Sequence, residues 1–206
     1  MTTSLVWYAA YGSNMDRARF MVYVRGGMPV GGDRGTPGCR DTTPPRLDRP
    51  AELPGQVYFA TDSKAWPGGG RAFLDPTLPG RAPARAYLIT AEQFADIVAQ
   101  EMYRPPREPL DLAAVVAAGR VELGPGRYET LIHTGDLDGY PVFTFTAPWT
   151  AAAKTPNPPS AAYLATIAHG LREAHGWSTE EVVTYLSGLN SVADRWSAAE
   201  LTGLAG

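Results

Sequence analysis

The chain has 206 residues, enough for one domain or one domain with an appendage. Its hydrophobic fraction of 44% supplies a sizeable core, and its net charge of −3 leaves no basic surplus for neutralising phosphates, which argues against a nucleic-acid partner. No apolar run approaches the ~20 residues that span a bilayer, and the opening residues lack a basic segment followed by a long apolar stretch, so a cytoplasmic location is the simplest expectation.

Residues 5–11 read as a strand, which passes through Tyr8-Ala9-Ala10-Tyr11-Gly12-Ser13-Asn14-Met15 into a helix at 16–25. Gly12 suits a tight turn with positive φ, and Ser13 and Asn14 are good N-cap residues. Such a corner leaves backbone N–H groups free at a helix start, a ready anion or oxyanion site; it is equally a capped helix start with no ligand. Residues 26–55, rich in Gly, Pro, Arg and Asp, read as a long irregular loop, the kind that is functional or mobile in a compact domain. The single cysteine, Cys39, lies in this loop and excludes an intrachain disulfide. Arg40 beside it would lower its pKa, although a plain thiol is the simpler reading. Residues 55–60, 70–74 and 84–90 read as strands, with a turn-rich loop at 62–70.

Thr90 then caps a helix and Gln93 completes a capping box. Phe94, Ile97, Val98 and Met102 make one apolar face. Glu101 follows Ile97 by four residues, on the same stripe. A carboxylate on a core-facing side is costly unless paired, hydrogen-bonded or protonated, which makes Glu101 a candidate for a raised pKa and for general acid–base work. The alternative is a helix-end Glu that reaches solvent or pairs with Arg104 or Arg107. Glu92 belongs to the first helical turn, and Asp96 to a different face from Glu101. A second helix at 111–118 stops at Gly119, strands at 127–134 and 140–146 form a hairpin joined by 135–139, and 147–159 is a proline-rich linker or strand-like arm. Helices follow at 161–175 and 178–186. His133, His169 and His175 are scattered, and no Cys/His spacing fits a zinc site.

The octet through Tyr11-Gly12-Ser13-Asn14 resembles the signature that opens the γ-glutamylcyclotransferase-like family, with Met15 where Leu is usual. Two more stretches match that family in the same order. Glu101, near the end of a short helix after a strand, stands where the family carries its catalytic Glu, with Met102 where Gly is often found. Lys64-Ala65-Trp66-Pro67-Gly68-Gly69-Gly70-Arg71-Ala72-Phe73 resembles its Trp/Gly-rich loop, where small residues approach the ligand. The resemblance spans residues 5–146. It implies an α+β fold, a mixed β-barrel or roll with flanking helices, as a catalytic domain at 1–150. Residues 151–206 would then be a helical extension packed on the core, of a kind found in a bacterial subgroup.

The reaction implied is intramolecular aminolysis, in which the α-amino group of a γ-glutamyl unit attacks its own γ-carbonyl to release 5-oxoproline. Glu101 would act as base and then as acid, because the two proton transfers are sequential. Backbone N–H groups of Gly12, Ser13 and Asn14 would hold the γ-carbonyl oxygen or the α-carboxylate. Tyr8 and Tyr11 would line the pocket, with Trp66, Gly68 and Gly69 against the substrate. No metal or organic cofactor is implied. The partner implied is a small γ-glutamyl molecule, with no nucleic acid or membrane, and the protein would be a monomer or homodimer. Two alternatives stand beside this: a same-fold acyl-transfer or amide-cleaving enzyme of a specialised pathway, and a non-catalytic small-molecule binding module. Gly12-Ser13-Asn14 is not the Gly-x-Ser-x-Gly of a serine hydrolase. The leaving group stays open, to be set by the far side of the pocket.

Overall fold

The structure is a computed structural model and describes residues 4–28, 35–106 and 108–206. Arg107, one of the two arginines considered as a partner for Glu101, lies outside them, as does part of the loop at 26–55.

The first strand, β1 (Leu5–Ala10), lies inside a six-stranded sheet of order β2-β5-β1-β8-β7-β6. Its other members are β2 (Leu47–Pro54), β5 (Arg81–Thr90), β6 (Arg120–Glu122), β7 (Thr130–Leu137) and β8 (Tyr140–Thr146). The pair β1·β8 is parallel and the other pairs are antiparallel. A separate hairpin is formed by β3 (Gln56–Asp62) and β4 (Gly70–Asp75).

From Val6 to Ala10 every residue of β1 is buried, which explains the unbroken apolar run, since both sheet faces are covered. Val6, Tyr8 and Ala10 point to one face, with residues of α1 (Arg17–Arg25), α2 (Ala91–Glu101) and α3 (Leu112–Ala118). Trp7 and Ala9 point to the other, with the β3–β4 hairpin and α4 (Ala161–His175), α5 (Thr179–Ser187) and α7 (Ala198–Ala205). A single turn, α6 (Asn190–Ala193), links the last two helices. The fold is α+β, as the resemblance implies.

Several local expectations need correction. Residues 47–54, expected within the irregular loop, form β2. The strand carries Pro50 and Pro54, which remove ladder donors, and it is tolerated because β2 is at the sheet edge. Gly12 has φ −115°, so no left-handed turn occurs there. Its neighbours Ser13–Met15 form a 3₁₀ turn, and the cap of α1 is Asp16, whose carboxylate accepts the Arg19 N–H at 2.7 Å. The β7–β8 hairpin turns on Asp138 and Gly139 alone, both at positive φ, and Gly135 instead marks a bulge between His133 and Asp136.

Candidate active site

The end of β1, the 3₁₀ turn, the end of α2, the loop at 63–66 and the start of α4 converge on a cleft. It holds about 620 Å³ of non-atom space, open solvent at its mouth included. Of the residues singled out from the sequence, Tyr8, Tyr11, Gly12, Ser13, Asn14, Trp66 and Glu101 line it together.

Gly68 and Gly69 do not line it. Gly68 takes φ +80° in open space, as a turn glycine. At Gly69 a Cβ would lie 2.3 Å from the Ser160 nitrogen, and Gly70 donates to the Pro158 carbonyl at 2.8 Å. Gly69 and Gly70 therefore admit the chain at 157–160, while Ala65 and Ala72 of the same stretch line the cleft. Gly12 answers to close approach as well, because a Cβ there would lie 3.2 Å from the Tyr163 hydroxyl.

Glu101 is the last residue of α2 and is half-buried at the cleft. Its Oε1 accepts from Asn14 Nδ2 at 3.3 Å, and the same amide donates to the Tyr8 hydroxyl at 3.3 Å. Asn14 is held in turn by Tyr87, whose hydroxyl donates to its carbonyl at 2.8 Å. Burial pushes the Glu101 carboxyl above its ordinary value, while the Tyr23 hydroxyl, the Arg19 and Arg127 guanidiniums and the Asn14 amide pull the other way. Arg127 also donates to the Glu101 carbonyl at 3.2 Å, its guanidinium 4.0 Å from the centroid of the Tyr103 ring. Arg104 does not pair with Glu101; it binds Glu129. Burial, with Glu101 nearby, raises Tyr8 and Tyr23 well above the usual phenol value, so both stay neutral.

Sequence reasoning missed Arg19, Tyr23, Tyr128 and Tyr163 in the cleft wall. Arg19 and Tyr23 are four apart on α1 and share a face, beside the buried Phe20 and Val24. That spacing was the available signal. Tyr163 arrives from α4, stacks on Trp66 with centroids 5.1 Å apart, and accepts the Ala72 N–H at 3.3 Å. Nothing local in the sequence links it to the cleft. Cys39 lies outside it: burial pushes the thiol up to about 12, the reverse of the lowering considered for it. Arg40 turns instead to Asp96, with its backbone N–H at 2.9 Å and its guanidinium in contact as well. Among the described residues, no group of three or more His, Cys, Asp or Glu is placed to hold a metal ion. No described helix is long and apolar enough to cross a membrane.

The arrangement brings a desolvated carboxyl group next to an amide that can hold its anion, within a wall of neutral tyrosines. Such a group can take up a proton from a molecule bound in the cleft and return it.

No family model matches the chain. A curated relative, Histone deacetylase 5 of Arabidopsis thaliana, is 32% identical over 198 residues, which cover 88% of this chain and 30% of that protein. The chain thus spans about 30% of the length of that relative. Among solved structures, an uncharacterized protein from Homo sapiens is similar with a TM-score of 0.50 at 15% identity, over 88% of this chain and 86% of the other. It shares the fold. A solved chain named gamma-glutamyl cyclotransferase is 16% identical with a TM-score of 0.48, over the same shares of 88% and 86%.

Proposed function

We propose that the cleft belongs to a cyclotransferase that closes the γ-glutamyl end of a small molecule into 5-oxoproline and releases the attached amine, amino acid or peptide. One observation carries the reading: the Glu101 carboxyl, raised by burial, is hydrogen-bonded to Asn14 of the Tyr-Gly-Ser-Asn stretch across a sequence gap of 87 residues. Two separate marks of the resemblance meet in one contact.

The chemistry balances with no other reagent. The α-ammonium of the γ-glutamyl unit gives a proton to the Glu101 carboxylate, and the freed amine attacks the γ-carbonyl carbon. A C–N bond forms and the oxygen becomes an oxyanion, which needs fixed donors. Ser13 and Asn14 supply backbone N–H groups from the first positions of the 3₁₀ turn, where no partner exists within the turn. The oxyanion re-forms the carbonyl, and the bond to the leaving nitrogen breaks as Glu101 returns the proton to that nitrogen. Glu101 then relays the second proton shed by the ring nitrogen, so 5-oxoproline leaves with one N–H and the released amine leaves as an ammonium. The buried Asn14 Oδ1 has no partner and is a suitable acceptor for the substrate ammonium after a small shift.

The deacetylase name belongs to a protein of which this chain spans 30%, and the cleft is read on its own groups. The test is 5-oxoproline release from γ-glutamyl amines, γ-glutamyl amino acids and glutathione, with Glu101→Gln beside the wild type. Release by the wild type and a loss on the order of 10²–10⁴-fold in the variant supports the assignment. Equal activity removes Glu101 from catalysis, and no release by the wild type across the panel sinks the reading.

A further inference from the structure

Arg19 is 7% exposed, and its Nε and Nη1 are both buried with no hydrogen-bond partner. Its guanidinium sits between two rings, 5.0 Å from the centroid of Tyr23 and 5.8 Å from that of Trp66. The protein treats other arginines differently. Arg85, buried to a similar degree, binds both Asp48 and Glu173. Arg40 binds Asp96 and Glu92. A guanidinium cannot shed its proton, so a buried one without acceptors is an uncompensated cost. Ring faces offset part of that cost and leave Nε and Nη1 without an acceptor. Glu101 feels the charge of Arg19 without forming a hydrogen bond to it.

The position of Arg19 says what the missing partner is. It lines the cleft and also a second chamber, of about 650 Å³ by the same measure, whose wall includes Thr36, Pro37, Gln100 and Arg104. Tyr23, Ala65 and Tyr103 are shared between the two. Glu101 and the 12–14 stretch belong to the first chamber only. A γ-glutamyl unit bound with its carbonyl at Glu101 and the 12–14 turn would have Arg19 between it and the second chamber, which offers room for the departing part of the molecule. The planar N–H fork of a guanidinium matches a carboxylate, and its flanking rings hold it flat for that contact.

We propose that Arg19 binds a carboxylate on the leaving group, so that the protein prefers γ-glutamyl amino acids or peptides, whose departing part is anionic, over γ-glutamyl amines. The proposal rests on the cyclotransferase reading of the cleft, and its test separates the two.

The test compares three ligands: γ-glutamyl-alanine, its C-terminal amide, and the analogue with the α-carboxylate of the glutamyl unit masked as an amide. Masking the alanine carboxylate lowers kcat/KM by about 30- to 100-fold in the wild type, the scale of a charge-assisted bidentate contact. In Arg19→Met the ratio of acid to C-terminal amide falls to within about threefold, and in Arg19→Lys it is intermediate. Equal use of acid and amide by the wild type overturns the proposal. So does a variant that keeps the preference, or one that loses discrimination at the α-carboxylate instead. If Arg19→Met does not fold, the wild-type ratio and Arg19→Lys decide. If no ligand is turned over, the cyclotransferase reading fails. Calorimetric binding of the same three ligands then decides for Arg19: tighter binding of the acid, lost in the variant, supports the carboxylate site, and its absence overturns it.

Discussion

Glu101 sets a pH dependence whose sign follows from its surroundings. As the proposed base it must be ionised, and burial raises its pKa despite the Tyr23, Arg19, Arg127 and Asn14 contacts that favour the anion. The acid limb of the kcat/KM profile should therefore lie above the ordinary carboxylate range, and Glu101→Gln should remove it together with the activity. Stability should move the opposite way. A carboxyl whose folded pKa lies above its unfolded value contributes fully below the unfolded value and loses that contribution as pH rises through the folded one. Glu101→Gln escapes this loss and keeps a side-chain oxygen to accept from Asn14. The variant should melt above the wild type at neutral pH, with the gap closing as both are acidified toward pH ~4. Thermal melts across that range check it; a variant that melts lower at neutral pH would mean that the charge, not the neutral form, suits the folded site.

At the scale of elements, α4 and the 3₁₀ turn are fitted to one another through Gly170. A Cβ there would lie 2.5 Å from the Asp16 nitrogen and 2.7 Å from the Met15 Cβ. Glu173 and His169, on the same helix, bind the Arg17 N–H and the Asp16 carboxylate at 3.0 and 2.7 Å. In an exposed helix, Gly→Ala gains up to about 1 kcal/mol of propensity. Here overpacking, worth about 1–3 kcal/mol, opposes it against rigid backbone. Gly170→Ala should lose about 1–2 kcal/mol in urea unfolding and, by pushing on the turn that carries Asn14, lower kcat/KM as well. Unchanged stability and activity would show that α4 can lift away freely. The helices were legible where chemistry is local: the capping box at Thr90 and Gln93 is present, and α4 spans Ala161–His175 as its apolar period demands. Glu101 was legible because helical spacing puts it under Ile97. What local pattern cannot carry is pairing across distance. The strand β2 reads as loop because its prolines argue against a central strand, and only its edge position makes them acceptable. The glycines at 68–70 announce close approach without saying what approaches, and the answer for Gly69 and Gly70 is the segment at 157–160, some 90 residues on. Helical spacing puts Arg19 beside Tyr23, but its lack of a partner is invisible for a related reason, since an arginine declares itself unpaired only once every acceptor around it is placed.

For the whole molecule, the question is whether the helices after 160 are an addition or part of the enclosure. The sheet face that bears Trp7, Ala9, Ala86 and Leu88 shares one apolar cluster with Leu164, Ile167 and Leu171 of α4, Val182 and Leu186 of α5 and Leu201 of α7. The end of the chain is tied back by polar contacts: Trp196 Nε1 donates to the Pro159 carbonyl at 3.1 Å, and Arg172 Nη1 to the Ala205 carbonyl at 2.8 Å. Each fully buried Leu, Ile or Val side chain is worth roughly 1.5–3 kcal/mol, so uncovering this cluster forfeits an amount comparable to the whole net stability of an ordinary domain, about 5–15 kcal/mol. The same helices supply Tyr163 to the cleft wall and keep Trp66 stacked. A chain ended after Pro159 should therefore lose its cooperative thermal transition and near-ultraviolet circular dichroism, bind an apolar dye, and show no site to assay. Tyr163→Phe separates the two roles: it keeps the ring on Trp66 and removes the acceptor for the Ala72 N–H, and should cost about 1 kcal/mol while the fold persists. A truncated chain that still melts cooperatively would show that the sheet can cover this face without them, and the helices would then be an appendage in the energetic sense as well as in sequence.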